Sequence, residues 1–451
     1  MTSAVKFLLI GAALLATGTQ AHAQLLGGRG LGAPGGLSGL PNVPIVTSPQ
    51  RLPTRISPQS GAVAPLSAVA PGAIDNTATT LGQTVQGAAG TVRDLVGRPL
   101  NPASPSRDDQ GHPIVPNEIL AVSPTPESLA AARGLRFSIV QQDQLSALNL
   151  SVAILRVPDG LTENQALAAI RQADPAGHYD YANIYNPSGG QAISESNPVR
   201  PANLAQPALR IGMIDGGVEP HHSAFSNAKI VSRNFASAGE APATMHGTAV
   251  ASLLAGSDKD FSGYLPGATI YAADVFGGQP GGGSATEIAQ ALNWLAESGI
   301  PVVNISLAGP ANALLEAAVR AFVGSGHVLV AATGNDGPAA PPNYPAAYTG
   351  VIGVTASDAG HHFALDANRS GAHFTAIGVG IKAATLPGGY GAVSGTSYAS
   401  PLVAARFALL VPAPGNDNCM AALNTLTQAT IRIPDSNIGF LPPPSGQLAQ
   451  R

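Results

Sequence analysis

Between Arg210 and Thr355 strand-like and helix-like stretches alternate, and this restricts the fold more than any other feature of the chain. Arg210-Ile211-Gly212-Met213-Ile214, Thr269-Ile270-Tyr271-Ala272-Ala273, Val302-Val303-Asn304-Ile305-Ser306, Val328-Leu329-Val330-Ala331-Ala332 and Val351-Ile352-Gly353-Val354-Thr355 are short apolar runs of the buried-strand type. Stretches 287–298 and 311–325 between them have helical character. Strand followed by helix followed by strand requires crossover connections, and these produce parallel strands covered by helices. In such sheets functional groups gather at the carboxyl ends of the strands. The residues just past each strand are therefore the ones to inspect for chemistry.

Asp215 lies just past the first strand, in Ile214-Asp215-Gly216-Gly217-Val218, where two glycines let the backbone turn tightly. His246 opens a helical run, His246-Gly247-Thr248-Ala249-Val250-Ala251, and Asn335 follows the fourth strand in Gly334-Asn335-Asp336-Gly337. Ser397 lies in Gly395-Thr396-Ser397-Tyr398-Ala399-Ser400-Pro401, ahead of the apolar run 402–411. Pro401 places this stretch near a helix N-terminus, where proline is tolerated. Taken singly, each residue has an ordinary structural reading: an Asx-turn, a structural histidine, a turn, and an N-cap. Together they are what acyl transfer by serine requires: a hydroxyl, a base to take its proton, a carboxylate to orient that base, and donors for the oxyanion.

With these residues the domain resembles the subtilisin-like serine proteases of the subtilase family. The signatures around Asp215, His246 and Ser397 occur in the family's order, the Asn335 loop accompanies them, and the likeness extends over about 207–442. It implies an α/β fold with a mostly parallel sheet flanked by helices. It further implies Ser397 as nucleophile, His246 as general base and then acid, Asp215 as the orienting carboxylate, and Asn335 with the Ser397 N–H as oxyanion hole. Ser306, Leu307, Ala308 and Gly309 match the segment that pairs with a substrate backbone, and the loop 277–283 matches the opposite wall. Ala332, Thr333 and Gly334 match one side of the first specificity pocket, and Asn343-Tyr344-Pro345 matches a segment with a cis Tyr–Pro bond.

Asp336, at the margin of that pocket, reads either as a solvated loop carboxylate or as an attraction for a basic side chain. Ala249 and Leu402 stand where histidines are common in the family, but neither position belongs to the triad. Asp258 and Asp260 are only two carboxylates where calcium takes about 6–8 oxygen ligands. No metal site and no cofactor are expected, and calcium dependence stays open.

The remainder of the chain divides by composition. Residues 1–23 read as a signal peptide: Lys6, an apolar run over 7–17, and Ala21-His22-Ala23 before a cleavage point. Residues 24–116 form a Gly/Pro-rich arm, read as disordered because it has little to bury. Within it, Leu81, Val85, Ala89, Val92 and Val96 recur at helical spacing. Residues 117–187 form a small α+β module with strands at 118–122, 150–157 and 179–185, a weak strand at 136–140, and helices beginning at Thr125 and Thr162. The Thr162/Gln165 pair has capping-box spacing, and the element order is ferredoxin-like. Residues 188–206 are a linker, 207–442 the protease-like domain and 443–451 a tail.

By family analogy the 117–187 module is a propeptide that folds against the protease and blocks it until cleavage somewhere within 186–206. It is the chain's own partner, besides protein or peptide substrates. Net charge −4 without a basic cluster excludes a nucleic-acid partner, and the single cysteine, Cys419, excludes an intrachain disulfide. No stretch of spanning length predicts a stable membrane anchor, so the expected location is secreted or periplasmic. The function expected is that of an exported serine endopeptidase made as a self-processed precursor. The alternatives are a protease-like binding scaffold or an enzyme limited to self-processing.

Overall fold

The structure, a computed structural model, describes residues 106–189, 208–236, 242–259, 261–277 and 282–443. All of these belong to one compact unit, Pro71–Arg451. The signal-like segment 1–23, most of the Gly/Pro-rich arm with its helical spacing at 81–96, and the linker beyond Gly189 lie outside the described residues.

The N-terminal module runs β1 (Ile114–Val122), α1 (Pro126–Gly134), β2 (Ser138–Leu145), β3 (Leu150–Arg156), α2 (Glu163–Ala173) and β4 (His178–Pro187). Its strands are ordered β4-β1-β3-β2 and are antiparallel throughout. Thr125 caps α1 by accepting the Ser128 N–H, and Thr162 with Gln165 forms a full capping box on α2. Two boundaries differ from the sequence reading. The first strand starts at Ile114, not at 118, and Ile114 is fully buried there. Of residues 106–116, which the sequence reading assigned to the arm, 107–113 make a turn closed by the bridge Arg107↔Pro113 and 114–116 open β1, and the Ile184 N–H donates to the Pro113 carbonyl. Alternation is weak at Pro113 and Pro116, so the pattern hides a strand that its tertiary partners complete.

The larger domain continues with β5 (Arg210–Asp215), β6 (Lys229–Asn234), α3 (Met245–Ala255), β7 (Thr269–Asp274), β8 (Gly283–Ser284) and α4 (Ala285–Glu297). Then come β9 (Val302–Ile305), β10 (Leu307–Ala308), α5 (Ala313–Gly324), β11 (Val328–Ala332), β12 (Ile352–Ser357), β13 (Ala372–Ile377), β14 (Ile381–Ala384) and β15 (Tyr390–Val393). The chain closes with α6 (Thr396–Ala408), α7 (Asn416–Gln428), β16 (Ile431–Arg432) and β17 (Gly439–Phe440). The main sheet is ordered β16-β17-β13-β12-β11-β9-β5-β7-β6, and every pairing but the terminal β16–β17 is parallel. Consecutive strand residues face opposite sides. Val302 and Val330 enter the core under α3 and α6, while Val303, Leu329 and Ala331 enter the core under α4 and α5.

The module lies over α4 and α5 and shares a core with them. Leu120, Val122, Leu145, Leu148, Val152 and Ile154 belong to the same buried cluster as Ile288, Leu292, Leu315 and Phe322. Its helices cover the other sheet face through Ile119, Leu155, Leu167 and Ile170. Polar contacts fix the register. The Ala147 N–H donates to Asn293 Oδ1 at 2.9 Å, and Gln290 Nε2 donates to Asp143 at 2.7 Å. Asp180 accepts the Ala313 N–H at 2.7 Å, placing a carboxylate at the positive end of α5, and burial pushes its pKa up.

His327, buried between Phe322 and the Ile300 carbonyl, has its pKa pushed down by burial. The folded state therefore binds fewer protons than the unfolded chain, and stability falls as pH drops below the ordinary histidine value of about 6.5. Denaturant midpoints of the Ser397→Ala chain should be lower at acidic than at neutral pH. The drop should shrink when His327→Gln is added, because glutamine keeps a donor and cannot charge.

Candidate active site

The carboxyl ends of β5 and β11 and the N-termini of α3 and α6 converge. Asp215 ends β5 fully buried, and its Oδ1 accepts both the Gly216 N–H at 2.7 Å and His246 Nδ1–H at 2.8 Å. Thr244 caps α3 by accepting the Gly247 N–H, which presents His246 from the first turn with its side chain 12% exposed. The second imidazole nitrogen, Nε2, is buried without a hydrogen-bond partner. Asp274, at the end of the neighbouring β7, has its pKa pushed up mainly by burial and further by Asp215. The arrangement fixes the imidazole's orientation and leaves Nε2 open to receive a proton.

Ser397 does not cap its helix. The N-cap of α6 is Gly395, at φ +140°, and there is no side-chain cap. A β-carbon on Gly395 would come within 2.9 Å of the Gly189 Cα and 3.1 Å of both Asn335 Nδ2 and the Ser188 carbonyl oxygen, so only glycine fits. With the cap supplied elsewhere, the Ser397 hydroxyl donates to the Ser306 carbonyl at 3.1 Å.

Pro401 adds a second constraint. It has no N–H, so the Ser397 carbonyl loses its i+4 donor. That carbonyl accepts instead from Ser306 Oγ at 3.0 Å, and Ser306 Oγ also meets Ser400 Oγ at 3.2 Å and Asn304 Nδ2 at 2.9 Å. The turn carrying Ser397 is thereby tied to the end of β9.

The cleft is occupied by the module's own chain. Strand β4 runs antiparallel between β10, with Leu307↔Pro187 and Ala308↔Asn186, and β8, with Ile184↔Ser284 and Tyr185↔Gly283. The Ser188 N–H donates to the Ser306 carbonyl at 3.1 Å. Tyr185 is fully buried: its ring lies where a β-carbon of Gly309 would be, and its hydroxyl donates to the Pro310 carbonyl at 2.8 Å. The Ser188 carbonyl oxygen then accepts the Ser397 N–H at 2.9 Å and Asn335 Nδ2 at 2.7 Å. Asn335 is itself held by its Oδ1, which accepts the Thr396 N–H at 3.1 Å. The Ser188–Gly189 peptide bond thus sits with its carbonyl in a two-donor cradle and Gly189 against the imidazole. The two donors on this carbonyl oxygen are of the kind that can receive developing negative charge, while the Ser397 hydroxyl is turned to the Ser306 carbonyl.

The structure brings together Asp215, His246, Asn335, Ser397 and the 306–309 segment. Ser306 contributes through its carbonyl and hydroxyl, while Leu307 and Ala308 pair with β4. Gly334 lines a cavity of about 790 Å³ beside Ser188, together with Asn335, Asp336, Asn343 and Asp366. Ala332 and Thr333 are fully buried and do not line it. Thr333 Oγ1 donates to the Asn368 carbonyl at 2.6 Å, which makes it part of the scaffold. Asp336 is exposed and accepts from Asn343 Nδ2 at 2.8 Å. The Tyr344–Pro345 bond is cis. Asp258 accepts from the Tyr390 hydroxyl, and among the described residues no group of acidic, histidine or cysteine side chains could hold a metal ion.

Sequence reasoning missed Ser188, Gly189 and Tyr185. The local signal, Tyr185-Asn186-Pro187-Ser188-Gly189, is an apolar residue followed by small ones. It acquires meaning only against the groove that receives it.

Residues 206–433 match the Subtilase family model. The chain is 31% identical over 247 residues to Subtilisin DY of Bacillus licheniformis, covering 51% of this chain and 85% of that protein. It is 33% identical over 213 residues to the Minor extracellular protease Epr of Bacillus subtilis (strain 168), covering 46% of this chain and only 33% of that one. The crystal structure of fervidolysin from Fervidobacterium pennivorans, a keratinolytic enzyme related to subtilisin, superimposes with a TM-score of 0.61 at 20% identity, over 75% of this chain and 61% of that one. This last is a likeness of fold.

Proposed function

Because the chain belongs to the subtilase family, we propose that it is an exported serine endopeptidase, made as a precursor that cuts its own Ser188–Gly189 bond. The observation that carries this reading is the Ser188 carbonyl held by the Ser397 N–H and Asn335 Nδ2 while its strand pairs on both sides. Ser397 Oγ gives its proton to His246 Nε2 and bonds to the Ser188 carbon. The carbon–nitrogen bond to Gly189 breaks as His246 returns the proton to the departing amine. Water then attacks the ester with His246 again as base, releasing Ser188 as a carboxylate and restoring Ser397. Asp215 orients the imidazole and stabilises its cation.

Export is supported by the signal-like segment 1–23 and by an extracellular relative. No helix among the described residues is long and apolar enough to cross a membrane. The module then acts as an intramolecular occupant of the cleft, and protein or peptide substrates follow once it leaves. Intact mass and N-terminal sequencing of the secreted protein should find a chain beginning at Gly189, and a fluorophosphonate should label Ser397. A stable full-length product with an unreactive Ser397 would overturn the reading. An enzyme confined to self-processing would mature yet leave added casein intact.

Ser306 is a positioning residue in this scheme. Ser306→Ala keeps the carbonyl that pairs with substrate but removes the shorter of the two hydroxyl donors to the Ser397 carbonyl, leaving Ser400 Oγ at 3.4 Å. With a hydrogen bond worth about 0.5–1.5 kcal/mol, kcat should fall roughly two- to tenfold with KM little changed, measured by steady-state kinetics.

A further inference from the structure

Gly189 lies in a tight enclosure. A β-carbon added to it would stand 2.8 Å from Tyr398 Cε2, 3.0 Å from Tyr398 Cζ and 2.9 Å from His246 Nε2. Ordinary carbon contacts are about 3.5–4.0 Å, so one of these groups would have to move. Neither is free to do so. Tyr398 is 2% exposed and part of the core under α6, and its ring lies against His246 with centroids 5.4 Å apart. His246 is held by its bond to Asp215 at 2.8 Å, and displacing it would disturb the proton transfer itself. Ser188 and Gly189 both border the 790 Å³ cavity, but the β-carbon direction at Gly189 points away from open space and into Tyr398 and His246.

Resting on the self-processing reading above, we infer that Tyr398 is a specificity-determining residue: its ring, with His246, makes glycine the preferred residue after the cleaved bond. A larger residue there must shift the departing nitrogen away from His246, and a misplacement of about 1 Å at a reacting centre costs on the order of 10²-fold in rate.

The test uses the purified chain activated by its own processing and quenched peptides with Tyr-Asn-Pro-Ser before the scissile bond. The following residue is Gly, Ala or Val. The expected kcat/KM falls about tenfold from Gly to Ala and about 10²-fold from Gly to Val. Tyr398→Ala should bring the Gly and Ala substrates within about threefold of each other, and Tyr398→Phe should keep the discrimination. Because Tyr398 is buried and the alanine variant could fail to fold, Gly189→Ala is also made in the otherwise native precursor. Its maturation at bond 188–189 should slow at least about tenfold. Equal cleavage of the Gly and Ala peptides, or unslowed maturation of Gly189→Ala, overturns the inference, and so does full discrimination retained by a folded Tyr398→Ala. Failure to cleave any peptide, together with no fluorophosphonate labelling, strikes instead at the protease reading.

Discussion

Ser397→Ala should remain full-length and should lose peptide hydrolysis by about 10⁶-fold, the scale recorded for removal of a triad serine. The substitution removes only the attacking atom. The Ser397 N–H still points at the Ser188 carbonyl, α6 is still capped by Gly395, and the strand 184–188 still has both partners. The variant should therefore be an intact, folded precursor, with a melting temperature at or above that of the native chain. Electrophoresis against the native protein distinguishes this from cleavage by another protease, which would mature both. Mature-length Ser397→Ala protein would show that the bond is cut in trans.

Asn335→Ala should produce the second-largest effect. Its Nδ2 is one of two donors on the Ser188 carbonyl, at 2.7 Å, and its Oδ1 steadies the start of α6 through Thr396. Loss of a donor aimed at developing charge typically lowers kcat by about 10²–10³-fold. KM should change little, since the ground-state carbonyl keeps the Ser397 N–H and the strand pairing supplies most of the binding. Maturation should slow by a similar factor while Ser397 stays competent for fluorophosphonate labelling, although more slowly. A large rise in KM with unchanged kcat would instead assign Asn335 to ground-state binding.

Much of this was legible in the sequence because it is local chemistry. The Thr162/Gln165 capping box, Asp215 at a strand end and His246 at a helix start are encoded within a few residues, and the structure has them as read. What was not legible depends on through-space partners. Ser397 reads as an N-cap because hydroxyl residues favour that position, yet Gly395 takes it, since the approach of Gly189 and Asn335 leaves no space for a β-carbon. Likewise, Pro401 announces a missing donor, and Ser400 beside it supplies one at 3.4 Å, but nothing nearby in sequence says that Ser306, just past β9, gives the shorter bond at 3.0 Å. Residues 188–189 were read as the start of a linker, since small residues without periodicity look like connector until a groove and two donors surround them.

The module's sheet is apolar on both faces, one against its own helices and the other against α4 and α5. With the 188–189 bond cut as proposed, the second face would be held only by a dissociable contact. Leaving exposes Leu120, Val122, Leu145, Leu148, Val152 and Ile154 to water, at roughly 1.5–3 kcal/mol for each fully buried side chain as an upper estimate. A module of this size has about 5–15 kcal/mol or less to lose before it unfolds. Departure and unfolding would then become the same event, and the unfolded fragment would be the form a protease digests. Under the proposed processing the shared core would act as a ratchet: it holds the two parts together while the chain is continuous, and it would leave a released part unable to persist and return.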